Sequence, residues 1–336
     1  MNILILGANG FIGSHLSETI LTQTNWSVFA IDLAQDKLEK CLSHERFHFF
    51  AGDIIKQKEW VTEHIKKCDV VLPLVAIATP AAYVQNPLSV FELDFEANLA
   101  IIRQCAHYKK RIIFPSTSEV YGMCPDTEFD EETSNLVTGP IHKERWIYST
   151  SKQLLDRVIY AYGKHHALAY TLFRPFNWYG PKLDNIFNSK PGGSRVLTQF
   201  IGNILRGEDI MLVGGGAQQR CFTYIDDGIG ALIKMIENKN NLAHQQIFNV
   251  GNPLENVSIR VLAESLVELI KRYPQYASAA SKTKLVTVDA AQYYGAGYQD
   301  VQLRVPAIHR ASKCLDWQPR VNLATGLRKT LDFYLV

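Results

Sequence analysis

Residues 2–13 read NILILGANGFIG. Asn2 to Leu6 form a short apolar run. Gly7, Gly10 and Gly13 follow, and a helix-like stretch extends from Ser14 to Thr22. Strand, glycine turn and helix in that order are the setting a dinucleotide-binding loop requires. Glycines let the backbone approach a pyrophosphate, and the helix N-terminus offers free amides and a favourable dipole. The loop residues Asn9, Phe11 and Ile12 belong to the same expected cradle. The next apolar run, Ser27 to Ile31, ends in Asp32, about 20 residues after the glycines, where a carboxylate binds a ribose diol. An acid there favours NAD over NADP, whose extra phosphate it would repel.

Outward from that loop the chain keeps one rhythm. Phe47–Phe50 predicts a third strand, ending at Gly52, Asp53 and Ile54. Asp53 there suits either an adenine contact or a surface turn. Glu59 to Lys67 predicts a helix, and Asp69 to Leu74 a fourth strand. The small apolar loop Val75 to Pro80, with Leu74 and Ala76, either passes under a nicotinamide ring or simply packs. Val90 to Tyr108 predicts a long helix. Strands alternating with helices imply an α/β protein built on a Rossmann-type, doubly wound parallel sheet.

The fifth strand, Arg111 to Pro115, stops at Ser116-Thr117-Ser118-Glu119. Hydroxyls and a carboxylate at the C-terminal end of a parallel strand lie where such sheets place ligands, although a polar turn after a strand is also ordinary. Further on, Tyr148 and Lys152 stand four residues apart in a helical pattern, hence on one face. An ammonium beside a phenol lowers its pKa, and the phenolate can take a hydroxyl proton as hydride leaves the same carbon. Ala169 to Arg174 predicts a sixth strand, and beyond it the rhythm weakens. Asp184 to Ser194 is polar. Arg195 to Leu205 is helical, and Asp226 begins a helix ending near Asn238. Phe248 to Gly251 reads as one more strand, Ser258 to Arg272 as a helix, and Pro274 to Lys284 as a loop. The expected division is a dinucleotide-binding domain over 1–175, containing Tyr148 and Lys152. A smaller α/β domain over 176–336 mainly binds substrate, with segments returning to the first.

Bulk properties restrict the alternatives. The chain has 336 residues and a net charge of +2, which gives no electrostatic case for nucleic acid or a membrane surface. No apolar run approaches the roughly 18 residues of a membrane span. The chain opens directly on a strand with no leader pattern, so a cytoplasmic protein is expected. Six scattered cysteines without a Cys-x-x-Cys pair suggest reduced structural thiols, and no metal-ligand spacing is found among ten histidines.

Together the glycine loop, Asp32, Ser116-Thr-Ser-Glu-Val-Tyr-Gly122 and Tyr148-x-x-x-Lys152 resemble the extended short-chain dehydrogenases that act on nucleotide sugars. More closely, Arg145-Trp-Ile-Tyr148, Lys152-Gln-Leu-Leu-Asp-Arg157, Phe173-Arg-Pro-Phe-Asn-Trp178 and Gly297-Tyr-Gln-Asp-Val301 resemble the UDP-glucuronate decarboxylase domains of bifunctional polymyxin-resistance enzymes. In those enzymes a formyltransferase domain precedes the dehydrogenase. This chain begins at the nucleotide strand, so formyl transfer is not expected of it.

The resemblance implies NAD-dependent oxidation of UDP-glucuronate at C4, followed by loss of CO₂ from the β-keto acid to give a UDP-4-keto-pentose. By the same resemblance Tyr148 is the base assisted by Lys152, and Thr117 and Ser118 lie near the reacting carbons. Glu119, protonated or paired with Arg304, handles carboxylate and proton. Asn177, Arg195, Arg220 and Tyr298 are expected to hold the substrate's nucleotide and diphosphate, with arginine suited to phosphate through its fork of donors. Arg174 is expected to buttress its strand. Other readings stay open: UDP-xylose synthesis with internal hydride return, another nucleotide-sugar epimerase or dehydratase, and a non-catalytic nucleotide-binding regulator. A homodimer or higher homo-oligomer, paired through the helices near 90–108 and 153–162, is also implied.

Overall fold

The computed structural model describes residues 1–187 and 194–336; part of the polar stretch Asp184 to Ser194 lies outside them. Seven parallel strands form the central sheet: β1 (Asn2–Leu6), β2 (Ser27–Asp32), β3 (Phe47–Ala51), β4 (Val70–Pro73), β5 (Arg111–Pro115), β6 (Tyr170–Pro175) and β7 (Gln246–Val250). Their spatial order is β7-β6-β5-β4-β1-β2-β3. The order reverses at β1, so the glycine loop and the loop after β4 diverge there and leave a crevice at the strands' C-terminal ends.

The sheet is apolar on both faces because helices cover both. Ile3, Leu4, Ile5 and Leu6 are all fully buried, and alternate residues point to opposite sides. Ile3 and Ile5 pack with Leu16, Ile20, Ile229 and Leu232, from the helices Phe11–Gln23 and Ile225–Glu237. Leu4 and Leu6 pack with Val61, Ile101, Leu155 and Ile159, from Lys58–Lys67, Asn98–His107 and Trp146–His166.

The long helix expected over 90–108 starts earlier and is not uniform. It comprises Pro87–Phe91, a π-helical segment Glu92–Ala97, and Asn98–His107. Beyond β6 the chain makes small two-stranded pairings. Ile210–Val213 runs parallel to Leu285–Val288, and Gln219–Cys221 antiparallel to Asn256–Ser258. The stretch 274–284, read from sequence as a loop, contains the helix Ala277–Lys282. Ser258 caps the helix Ile259–Ile270, its hydroxyl accepting the Val261 amide at 3.1 Å. Asp226 starts the helix Ile225–Glu237 as expected, but Asp227 is the acid that holds the C-terminal segment, accepting the Arg320 and Val321 amides at 3.0 and 2.9 Å.

Candidate active site

The C-terminal ends of β1, β4, β5 and β6 border a cleft of about 390 Å³, whose far wall comes from residues after 176. On the cofactor side Gly7, Gly10, Phe11, Ile12 and Gly13 line it, with Leu74 and Ala76 opposite. Gly7 has φ +90°, a value that favours glycine. A Cβ on Gly13 would collide with the Gly7 carbonyl oxygen and come within 2.8 Å of Ala8 Cα. The helix start is thus pressed onto the strand end, which leaves the backbone itself as the surface offered to a pyrophosphate. Asp32 stands beside this loop, accepting the Asn9 amide at 2.8 Å and the Leu33 amide at 2.7 Å. These features fit a dinucleotide.

Two predicted cofactor residues have other engagements. The Asn9 side chain donates to Asp36 at 2.7 Å and accepts the Lys37 amide at 2.8 Å, fastening the loop after β2. Asp53 accepts the Ile55 amide at 2.8 Å in a local turn. Neither Asp53 nor Ile54 lines the central cleft. Gly13→Ala is expected to weaken NAD binding by about 10-fold or more, because the new methyl must displace backbone. Calorimetric titration alongside a melting curve checks it.

At the centre are Tyr148 and Lys152, both buried, on the helix Trp146–His166. The Tyr148 ring stacks on Tyr83, with centroids 4.6 Å apart and planes 5° from parallel. Lys152 Nζ donates to the Pro115 carbonyl at 3.0 Å and faces Asp94 Oδ1 at 3.9 Å. The expected lowering of the phenol by Lys152 does not hold in this geometry. Burial, then the charges of Asp94 and Glu119, push the Tyr148 phenol upward, against a hydrogen bond with Thr117. Burial also lowers Lys152, opposed by Asp94 and Asp156. The ammonium is spent on Pro115 and Asp94.

Below β5, Thr117 opens a short 3₁₀ turn, Ser118–Tyr121, and its hydroxyl accepts the Glu119 amide at 3.2 Å. Ser118 is buried and lines the cleft. The turn ends at Gly122, φ +58°, where a Cβ would collide with the Val137 carbonyl oxygen. Glu119 lies between two guanidiniums. Arg304 Nη1 donates to one carboxylate oxygen at 2.7 Å, and Arg145 Nη2 to the other. Burial alone would raise this carboxyl; Arg145 and Arg304 overcome it and bring it down to about 2. Glu119 is therefore ionised, and the option of a protonated Glu119 is not what this arrangement favours. Glu119 in turn holds the Arg304 guanidinium protonated against its burial.

The residues expected to hold nucleotide and diphosphate all line the cleft but are bonded within the chain. Asn177 donates to the Cys221 carbonyl at 3.1 Å. Arg195 pairs with Asp184 at 2.7 Å, and Arg220 with Asp300 at 2.8 Å. Tyr298 donates to the same Asp300 at 3.3 Å. Arg174 buttresses as expected, pairing with buried Asp156 and donating to the Tyr121 hydroxyl at 2.8 Å.

The site contains residues that sequence reasoning left without a role. Arg145, 1% exposed in its side chain, also donates to the Gln299 carbonyl at 2.7 Å. It stands three residues before Tyr148, close to one helical face with it, a spacing that could have drawn attention to it. Tyr83 and Asp94 carry no local signal, since helix packing alone brings them in.

The family model for the NAD dependent epimerase/dehydratase family matches residues 3–251. The PbgP3 protein from Burkholderia pseudomallei is 54% identical over 99% of this chain and 96% of its own, with a TM-score of 0.91. Two more distant structures share the fold. One is a UDP-glucuronic acid 4-epimerase from Bacillus cereus, in complex with UDP-glucuronic acid and NAD (24% identity, 99% of this chain and 98% of that one, TM-score 0.81). The other is a dTDP-glucose 4,6-dehydratase from Bacillus anthracis in complex with NAD (20% identity, 99% and 96%, TM-score 0.79). The chain belongs to the NAD dependent epimerase/dehydratase family of extended short-chain dehydrogenases, and its cofactor is NAD.

Proposed function

We propose that this enzyme oxidises UDP-glucuronate at C4 and releases CO₂ from the resulting β-keto acid, giving a UDP-4-keto-pentose. The observation that carries the reading is the charge around Glu119. Among the described residues Arg145 and Arg304 line the cleft and share one carboxylate, Glu119, while Arg220 is paired with Asp300. That buried excess of positive charge suits a sugar that carries a carboxylate, and plain 4-epimerisation of a neutral hexose does not need it.

Bound NAD supplies the acceptor for the C4 hydride. Tyr148 takes the 4-hydroxyl proton, with Thr117 and Ser118 oriented beside the reacting carbons. Once C4 is a ketone, the C5–carboxylate bond can break. Its electron pair passes into an enolate at C4, CO₂ leaves, and a proton returns to C5. Tyr148, now a phenol, donates to the enolate oxygen. With Glu119 ionised and Arg304 held protonated, that pair serves by charge: it orients the carboxylate before cleavage. Asn177, Arg195, Arg220 and Tyr298 form the expected grip on nucleotide and diphosphate, which asks Arg195 and Arg220 to exchange internal acids for phosphate.

The residues after 176 serve mainly the sugar, and those before it the cofactor. Leu154 lies exposed on the helix Trp146–His166, a helix suited to the homodimer, which sedimentation measures.

Incubation with UDP-glucuronate and NAD is expected to yield CO₂ and stoichiometric NADH. CO₂ without net NADH would mean that the hydride returns and UDP-xylose is the product. Absence of CO₂, with the 4-epimer formed instead, would replace this reading by epimerisation.

A further inference from the structure

Glu119 and Arg304 are 185 residues apart in the chain and meet in the cleft at 2.7 Å. Neither rides on a strand of the central sheet. Glu119 belongs to the 3₁₀ turn Ser118–Tyr121, and Arg304 immediately precedes a run that pairs with Phe129 through a bridge at Pro306. What holds these two segments in register lies behind the cleft, on β7.

Asn249, on β7, is fully buried and does not line the cleft. Its Oδ1 accepts the Tyr121 hydroxyl at 2.9 Å, and Tyr121 is the last residue of the turn that carries Glu119. Its Nδ2 donates to the Phe129 carbonyl at 2.8 Å and to the Ala307 carbonyl at 3.3 Å. Phe129 is in turn tied to the run after Arg304. Its amide donates to the Val305 carbonyl at 2.7 Å, and its carbonyl accepts the Ala307 amide at 2.9 Å. One carboxamide therefore touches both the turn of Glu119 and the run that follows Arg304.

The orientation of that carboxamide is fixed by its neighbours. Arg174, beside Asn249 in the β6–β7 register, donates to the Tyr121 oxygen at 2.8 Å. The Tyr121 hydroxyl gives its own proton onward to Asn249, which puts Oδ1 on that side and leaves both Nδ2 hydrogens for the two carbonyls. Glu131 accepts the Asn249 backbone amide at 2.7 Å, so the main chain is held as well. Packing alone does not call for an amide at this depth: Phe248 and Val250 on either side are apolar and equally buried. A buried amide persists where its groups are bonded, and the bonds of this one go to the two segments that present Glu119 and Arg304.

We propose that Asn249 is a positioning residue for the loss of CO₂: it sets the register in which Arg304 meets Glu119, and so the direction from which the guanidinium faces the sugar carboxylate. Hydride transfer at C4 works from Tyr148 on a different helix and draws little on this link. The inference rests on the decarboxylase reading and on the roles given there to Glu119 and Arg304.

The test is Asn249→Leu in the full chain, close in shape but without hydrogen-bonding groups. Single turnovers with NAD and UDP-glucuronate under rapid quench give both steps, NADH formation for C4 oxidation and CO₂ release for the second. CO₂ release is expected to slow by about 10- to 100-fold, the cost of a misplacement of about 1 Å, and NADH formation by about threefold at most. The 4-keto acid should accumulate. Equal slowing of both steps, or of neither, overturns the proposal.

Tyr121→Phe keeps the ring against Phe129 and removes the Glu119 side of the link, so it answers the same question if the leucine variant does not fold. A selective fall in CO₂ release of about 3- to 10-fold is expected, the net worth of one hydrogen bond; no selective fall overturns the proposal. The double variant should lose no more than Asn249→Leu alone, because both substitutions break one bond, and additive losses overturn a shared link. Wild-type protein that releases no CO₂ removes the decarboxylase reading and this inference with it. Wild-type release of CO₂, with the ratio of the two steps unchanged in the variants, removes the role of Asn249 alone.

Discussion

Tyr148→Phe is expected to lower turnover by about 10³-fold, the usual worth of a positioned proton-transfer group, with little change in fold or NAD affinity. The substitution removes one oxygen and keeps the ring. The ring's main packing, its parallel stack on Tyr83, survives. The lost hydroxyl is the group that meets Thr117. In the resting site this phenol is hard to ionise, since burial, Asp94 and Glu119 all oppose its charge. The proton must therefore leave the substrate as that resistance is overcome, and the phenylalanine ring offers no oxygen to take it. Steady-state kinetics and calorimetric NAD binding check the split: kcat should collapse while the dissociation constant for NAD stays within about twofold. A variant that kept turnover would place the base elsewhere.

Glu119→Gln is expected to act on both chemistry and stability. It leaves Arg145 and Arg304, both buried, facing a neutral amide. Breaking a buried pair by removing one partner is strongly destabilising. The carboxyl lies lower in the folded chain, at about 2, than its ordinary 4.5. Its stabilisation is therefore complete above pH 4.5 and is lost as pH falls toward 2. The shift corresponds to about 3 kcal/mol at neutral pH. Denaturant melts of the two proteins should differ by about that much at pH 7 and converge as acid protonates Glu119 in the wild type. On the chemical side CO₂ release should fall by about 10²-fold or more. C4 oxidation should suffer less, so keto-acid builds up, which rapid-quench analysis would detect. Equal loss of both steps would make Glu119 a purely structural ion.

Much of this site is written locally in the chain. The glycine loop and Asp32 are readable because the strand, the turn and the acid follow one another within a single βαβ unit, and each has its own chemical reason. Tyr148 and Lys152 are readable because one helical turn joins them. What the sequence hides is what requires two distant segments. Nothing near Glu119 announces that Arg145 shares it with Arg304, because the loop between 122 and 145 must first fold back. Asp94 depends on a helix that departs from the 3.6 period, and a periodic reading assumes that period. Leu285–Val288 becomes a strand only because Ile210–Val213 lies beside it. The electrostatics are the least legible part. Spacing suggested an ammonium that eases the phenol's ionisation, whereas the geometry spends that ammonium on Pro115 and Asp94.

The seventh strand bears on how this molecule can be cut and reused. Gln246–Val250 lies against β6 although more than 70 residues separate them along the chain, so the sheet is unfinished until most of the chain has been made. A fragment ending at 175 would keep the glycine loop, Asp32, Tyr148 and Lys152 yet expose the full edge of β6, an apolar strand with unpaired amides that invites self-association. Anyone borrowing the nucleotide half as a module would have to graft 246–250 onto it or cap that edge with charge. The same dependence couples the two halves in melting, since loosening the residues after 175 takes a strand out of the central sheet.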